Sequence, residues 1–141
     1  MTKEDKQLLL QDLCARLPYG VLCVGTTYEL DDDGEKYIPV KVKNTLTEIH
    51  NYKLETAYVR LGLISSCELE TVKPYLRPMS SMTDEEYREW HYLYLPTPHE
   101  NEATETERRI DWLNKNHFDY RGLIQKGLAI PVTKENNPYK E

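Results

Sequence analysis

Leucines at positions 9, 10, 13 and 17 recur at helical spacing between Thr2, which can cap a helix start, and Pro18, which ends the run. This predicts a helix over Lys3 to Leu17 with one face docked on a sheet. From Tyr19 the period changes. Val21-Leu22-Cys23-Val24 and Tyr37-Ile38-Pro39-Val40-Lys41-Val42 are β-type runs around the turn-forming Asp32-Asp33-Gly34, which predicts a hairpin. Pro39 has no N–H for a ladder, so its strand is an edge or its nitrogen faces away from a partner. Leu46 to Leu54 fits either a short strand or an irregular turn. Over Thr56 to Ile64, Ala57, Val59, Leu61 and Leu63 alternate with Thr56, Tyr58, Arg60 and Gly62, as a strand with one buried face requires. A further short strand near Cys67 to Val72 brings the expected number to three to five.

Pro74 and Pro78 bracket Tyr75-Leu76-Arg77, a connector that cannot be regular helix through both prolines. In Met82-Thr83-Asp84-Glu85-Glu86-Tyr87, Thr83 is placed as an N-cap, Glu86 as its reciprocal capping-box residue and Met82 as a staple onto Tyr87. A second helix is therefore expected from Asp84 to about Tyr94, stopped by Pro96 and Pro98. Polar residues from Thr97 to Ala103 read as a mobile linker. Thr104-Glu105-Thr106-Glu107 then repeats the capping pattern ahead of a third helix ending near Asn114 to Asn116. A last short helix is expected after Phe118, capped by Asp119, stapled by Phe118 to Leu123 and closed by Gly127. Leu128-Ala129-Ile130 is either an edge strand or simple packing.

These elements predict an α+β fold: an N-terminal helix, a small, mostly antiparallel sheet that could close into a barrel, and C-terminal helices packed on it. Residues 1–132 form the expected single domain and 133–141 a frayed tail. The 141-residue length suits one core without metal or disulfide, and eleven Tyr and two Trp compensate for an apolar share of only 39%.

Eighteen Lys and Arg against 24 Asp and Glu leave a net charge of −6, which opposes non-specific binding to duplex nucleic acid or anionic membranes. The acids cluster at Glu29, Asp31, Asp32, Asp33 and Glu35 and again at Glu100, Glu102, Glu105 and Glu107, a pattern that reads first as solvated surface. No apolar run approaches membrane-spanning length, and the N-terminus lacks a secretory apolar region. Cys14, Cys23 and Cys67 form an odd set without CxxC spacing, so reduced thiols and a cytoplasmic location are expected.

Chemistry is sparse in the pattern. His50, His91, His99 and His117 match no metal-ligand spacing, and His117 reads as a structural histidine near a helix end. Asp31, Asp33 and Glu35 alternate like calcium ligands, but Gly34 is misplaced and Val42 stands where a closing Glu is needed. The glycines form no phosphate-cradling fingerprint. No catalytic residue, cofactor or metal is expected. A thiol beside a histidine is neither shown nor excluded by the spacing. Tyr87, Trp90, His91 and Tyr94 share one helical stripe, read as core or interface.

Three segments, Lys73-Pro74-Tyr75-Leu76-Arg77-Pro78-Met79-Ser80-Ser81-Met82-Thr83, Asp12-Leu13-Cys14-Ala15-Arg16-Leu17-Pro18-Tyr19-Gly20-Val21 and His117-Phe118-Asp119-Tyr120-Arg121-Gly122-Leu123-Ile124, carry a resemblance. The chain resembles a recurring family of small proteins of gut anaerobic bacteria, encoded in prophages and other mobile elements. That family brings no known activity and so no site residues. The resemblance implies a bacterial cytoplasm and an accessory phage role.

The expected function is a non-enzymatic protein interaction module acting on an unidentified host or phage protein. Its candidate partner-binding residues are Tyr75, Leu76, Arg77 and Met79, held ready by the two prolines. The plainer alternative makes this segment a hinge, with Tyr75 and Leu76 plugging the core. Two rival functions remain: a nucleic-acid-linked regulator or acidic decoy, marked by a basic or acidic stripe on the folded surface, and a small enzyme, marked by a cleft joining a cysteine or carboxylate to a histidine.

Overall fold

Thr2 caps the first helix, its Oγ1 accepting the amide of Asp5 at 3.0 Å, and α1 runs over Lys3–Arg16. The computed structural model describes residues 1–93 and 102–140. Leu9 and Leu13 are fully buried on the inner face of α1, while Leu10 and Leu17 pack half-buried beside them. The same face also buries Lys6, Asp12 and Arg16, so a stripe predicted to be leucine alone is partly ionic.

Six strands follow: β1 (Leu22–Leu30), β2 (Tyr37–His50), β3 (Tyr58–Leu61), β4 (Ser65–Glu68), β5 (Lys73–Leu76) and β6 (Ile130–Pro131). Their order in the sheet is β4-β3-β2-β1-β5-β6, antiparallel except for β5 with β6. The expected hairpin forms, and its turn uses the predicted acids. Asp31 N–H donates to the Lys36 carbonyl, and Asp31 Oδ1 accepts the Glu35 amide. The strands are much longer than expected, because β1 continues through Thr26, Thr27 and Glu29, and β2 runs on to His50. Pro39 stands opposite Tyr28 in a part of β2 that has no third strand beside it.

Three corrections concern the sheet. Of Tyr75-Leu76-Arg77, read as a connector, Tyr75 and Leu76 belong to strand β5, Lys73–Leu76; Pro74 is accommodated opposite Cys23, and the strand count among the described residues rises to six. The strand expected over Thr56 to Ile64 stops at Leu61, because Gly62 (φ 67°) turns the chain into β4. The sheet also stays open. A register shift between Leu46 and Glu48 bends β2, and β4 curls over β1 so closely that a Cβ on Gly25 would lie 2.9 Å from Cys67 Sγ. Yet among the described residues no ladder joins the two sheet edges, so the barrel allowed by the strand pattern does not form.

Thr83 and Glu86 form the predicted capping box and start α2, Asp84–Tyr92. The expected helix end at Tyr94 lies outside the described residues, as does most of the linker from Thr97. Helix α3 spans Glu102–Lys115. Thr104 is therefore inside α3 and not its cap, while the helix ends where expected. The last short helix does not form. Asp119 does accept the amides of Leu123 and Ile124, at 2.9 and 3.0 Å, but Gly122 (φ 78°) takes the chain out of helical geometry and leaves a series of turns. The core lies between α1 and the concave sheet, around Leu9, Leu13, Val21, Val59, Leu61 and Leu76, with Leu123 and Leu128 closing it from the C-terminal side. Among the described residues, no helix is long and apolar enough to cross a membrane.

Candidate functional site

The segment singled out by its prolines divides in two. Tyr75 and Leu76 are both buried in β5, Leu76 within the core and Tyr75 beside Lys43, whose ammonium lies 5.7 Å from its ring centroid. Arg77 and Met79 reach the surface. Arg77 is committed elsewhere: its guanidinium grips Glu86 and lies 4.1 Å above the Phe118 ring, and its backbone bridges to Phe118. Of the four, only Met79 has an exposed side chain, at 37%.

Residues 12–21, 73–83 and 117–124 meet here. Asp12 and Arg16 are both fully buried and paired at 2.8 Å, and Arg121 donates to the other oxygen of Asp12 at 2.9 Å. Arg16 Nη2 donates to the Phe118 carbonyl at 2.6 Å, while its Nη1 meets no polar partner among the described residues. One carboxylate thus serves two guanidiniums, and the cluster keeps one net positive charge under the surface.

His117 sits above that cluster at the end of α3. Phe118 N–H donates to the Leu113 carbonyl and His117 N–H to that of Asn114, the bonding of a Schellman cap, which places His117 in the left-handed region at φ 64°. Glycine is the usual residue there. The His117 ring instead stacks on Tyr139 with centroids 3.8 Å apart. Burial, then the charges of Arg16 and Arg77, lower its pKa to about 4, so the imidazole is neutral at pH 7. The Tyr139 hydroxyl accepts from Leu22 N–H and donates to the Tyr75 carbonyl, and burial raises its pKa above the ordinary range. Residues expected to fray are thus tied back across the sheet through Tyr139.

A second feature had only a partial signal in the sequence. Beyond Thr27 and Val40, β1 and β2 continue as a two-stranded arm. On one face Tyr28 and Leu30 stand opposite Pro39 and Tyr37; on the other, Glu29 stands opposite Ile38. Tyr28 and Leu30 are each 53% exposed, Tyr37 70% and Ile38 44%. The hairpin was legible from its turn, but its projection beyond the core was not, since both strands of an arm and of a packed hairpin read alike.

The α2 rings also lie at the surface. Tyr87 stacks on His91 at 5.7 Å and is half exposed, and Arg109 from α3 lies 4.0 Å over Trp90, so α2 contributes no buried residue to the core. Cys23 and Cys67 are buried, Cys14 is exposed, and all three are free thiols. Among the described residues no group of three His, Cys, Asp or Glu side chains is placed to hold a metal ion. Compared with family models, curated proteins and solved structures, the chain shows no match.

Proposed function

We propose that the protein is a non-enzymatic recognition module that grips another protein with the arm of β1 and β2. The observation that carries this reading is the exposure of Tyr28, Leu30, Tyr37 and Ile38 on a two-stranded element with no core on either face. A bare two-stranded hairpin is marginal in water, and tyrosine with large aliphatic side chains is what a buried interface core uses. Glu29, Asp31, Asp32, Asp33 and Glu35 surround these side chains, against a single Lys36 in the same stretch. The complementary partner surface is an apolar groove rimmed by Lys and Arg, whose charge would speed and orient docking. Such a partner, supplied by host or phage, is consistent with an accessory role.

The test compares proteins captured from the native host by the wild-type chain and by a Tyr28→Ser, Leu30→Ser, Tyr37→Ser variant. The variant should melt within a few degrees of wild type, since exposed positions away from the core change stability by only about 0.5 kcal/mol each. Loss of a specific captured protein supports the arm as the site. An identical set captured by both folded proteins refutes it.

A further inference from the structure

A cleft of about 660 Å³ opens between the end of β5, the α3 cap and the C-terminal segment. Arg77, Lys115, His117, Lys134, Tyr139 and Lys140 form its charged and aromatic wall, and among the described residues no carboxylate lines it. In a chain of net charge −6 this is a local reversal of sign. Lys115, Lys134 and Lys140 are exposed and make no ion pair with any described residue. Neutral donors stand among them: Ser81, Asn116 and Asn137.

We propose that this cleft binds a small ligand through a di- or triphosphate group, with Lys115, Lys134 and Lys140 as its ion partners and His117 in the wall. Four observations carry it. The three lysines come from two segments far apart in sequence and converge on one concavity, a geometry that a multiply charged anion satisfies and a single carboxylate does not. His117 lines the cleft, and its buried Nδ1 has no hydrogen-bond partner among the described residues, leaving a polar ring atom unmatched beneath the wall. His117 occupies the left-handed cap position that glycine fills without strain, so the ring is kept at a backbone cost, as happens at binding sites. The cleft volume falls in the range of small-molecule sites and suits a phosphorylated metabolite or nucleotide. The net positive charge of the Asp12, Arg16 and Arg121 cluster adds to the field from below, and a bound polyanion would offset it.

The experiment titrates the full chain with tripolyphosphate and, separately, with adenosine triphosphate. Heat of binding and the His117 imidazole resonance are followed at moderate salt. Saturable binding with a shift of the His117 resonance is expected for both probes. A tighter response to the nucleotide identifies the ring as part of the ligand; equal responses restrict recognition to the phosphates, and either result supports the site. Lys134→Glu with Lys140→Glu should weaken binding about tenfold or more, since it removes two ion contacts. Lys36→Glu with Lys41→Glu, the same change of net charge on the arm and sheet, should leave binding unchanged. Equal weakening by both pairs would reduce the effect to overall charge and overturn the proposal. So would no saturable binding of either probe, or tighter binding of an oligoglutamate peptide or a single-stranded oligonucleotide displaced by neither phosphate, which would assign the cleft to a macromolecule.

Discussion

Arg77 and Glu86 meet through two hydrogen bonds of 2.7 Å each, Nη1 to Oε2 and Nη2 to Oε1, and the same carboxylate closes the capping box on the Thr83 amide at 3.0 Å. One side chain therefore starts α2 and ties it to the end of β5. The Arg77 hydrogen bond is the main reason that the Glu86 pKa falls to about 2, with burial opposing it and the Thr83 amide assisting.

Because the folded pKa of Glu86 lies below its ordinary value of 4.5, its contribution is fully present above that value and is lost as pH falls toward 2. Glu86→Gln should lower stability at pH 7 by about 2 kcal/mol and flatten the fall in melting temperature across that window. A variant with an unchanged pH profile would show that the pair contributes nothing to folding.

Removing Asp12 leaves buried Arg16 without its anion. Asp12→Leu should destabilise the chain by about 3–5 kcal/mol in chemical denaturation. Asp12→Leu combined with Arg16→Met should recover much of that loss, because the unpaired buried charge goes with the second change. A single variant costing less than about 1 kcal/mol would contradict the buried, two-sided pairing seen here.

His117 gives stability an acid dependence of its own. Its folded pKa of about 4 lies below the ordinary 6.5, so the unfolded chain takes up the proton first. Stability should therefore decline as pH drops from about 6.5 to about 4, a window distinct from that of Glu86. The imidazole resonance of the native protein should titrate near 4, and His117→Asn, which tolerates the left-handed backbone, should flatten this part of the melting profile. An imidazole that titrates near 6.5 in the native chain would remove the effect.

Gly25 marks where β4 passes over β1. A Cβ there would lie 2.9 Å from Cys67 Sγ and 3.2 Å from a Val72 methyl, both in the core. Gly25→Ala should cost about 1–3 kcal/mol by overpacking, whereas Gly34→Ala, with open space around it, should cost only the strain of its left-handed turn, about 1–2 kcal/mol. Combining Gly25→Ala with Cys67→Ala tests the cause: removing Sγ should recover part of the loss, since the Cys67 Cβ and the Val72 methyl stay 3.1 and 3.2 Å away. Full stability of Gly25→Ala alone would mean that the two strands are further apart.

The predicted partner segment was legible as a rigid piece of chain but not as a strand. Two prolines in six residues argue against regular structure. Only the pairing of Pro74 with Cys23 and of Tyr75 with Ile130, residues 51 and 55 positions away, makes it β5. The same pairing buries Tyr75 and Leu76 and leaves Arg77 and Met79 outside. The basic cleft had no local signal at all. Its lysines lie among acids and polar residues in the sequence, and they share a wall only because Tyr139 bonds to Leu22 and Tyr75 across separations of 117 and 64 residues.

What the sequence by itself determined are the features governed by a few neighbouring residues. Thr2 caps α1, Thr83 and Glu86 start α2, Asp31 and Gly34 turn the hairpin, and Asp119 takes up the amides that follow it, because each is a hydrogen bond between groups at most five positions apart. The tertiary structure alone decided that Gly122 would divert the last turn from a helix, that the curled sheet would stay open, and that Asp12 would serve both Arg16 and Arg121. It also left the β1 and β2 arm beyond the core. These outcomes depend on which distant surfaces exclude water together, and alternation or helical spacing marks a face as apolar without naming what will cover it.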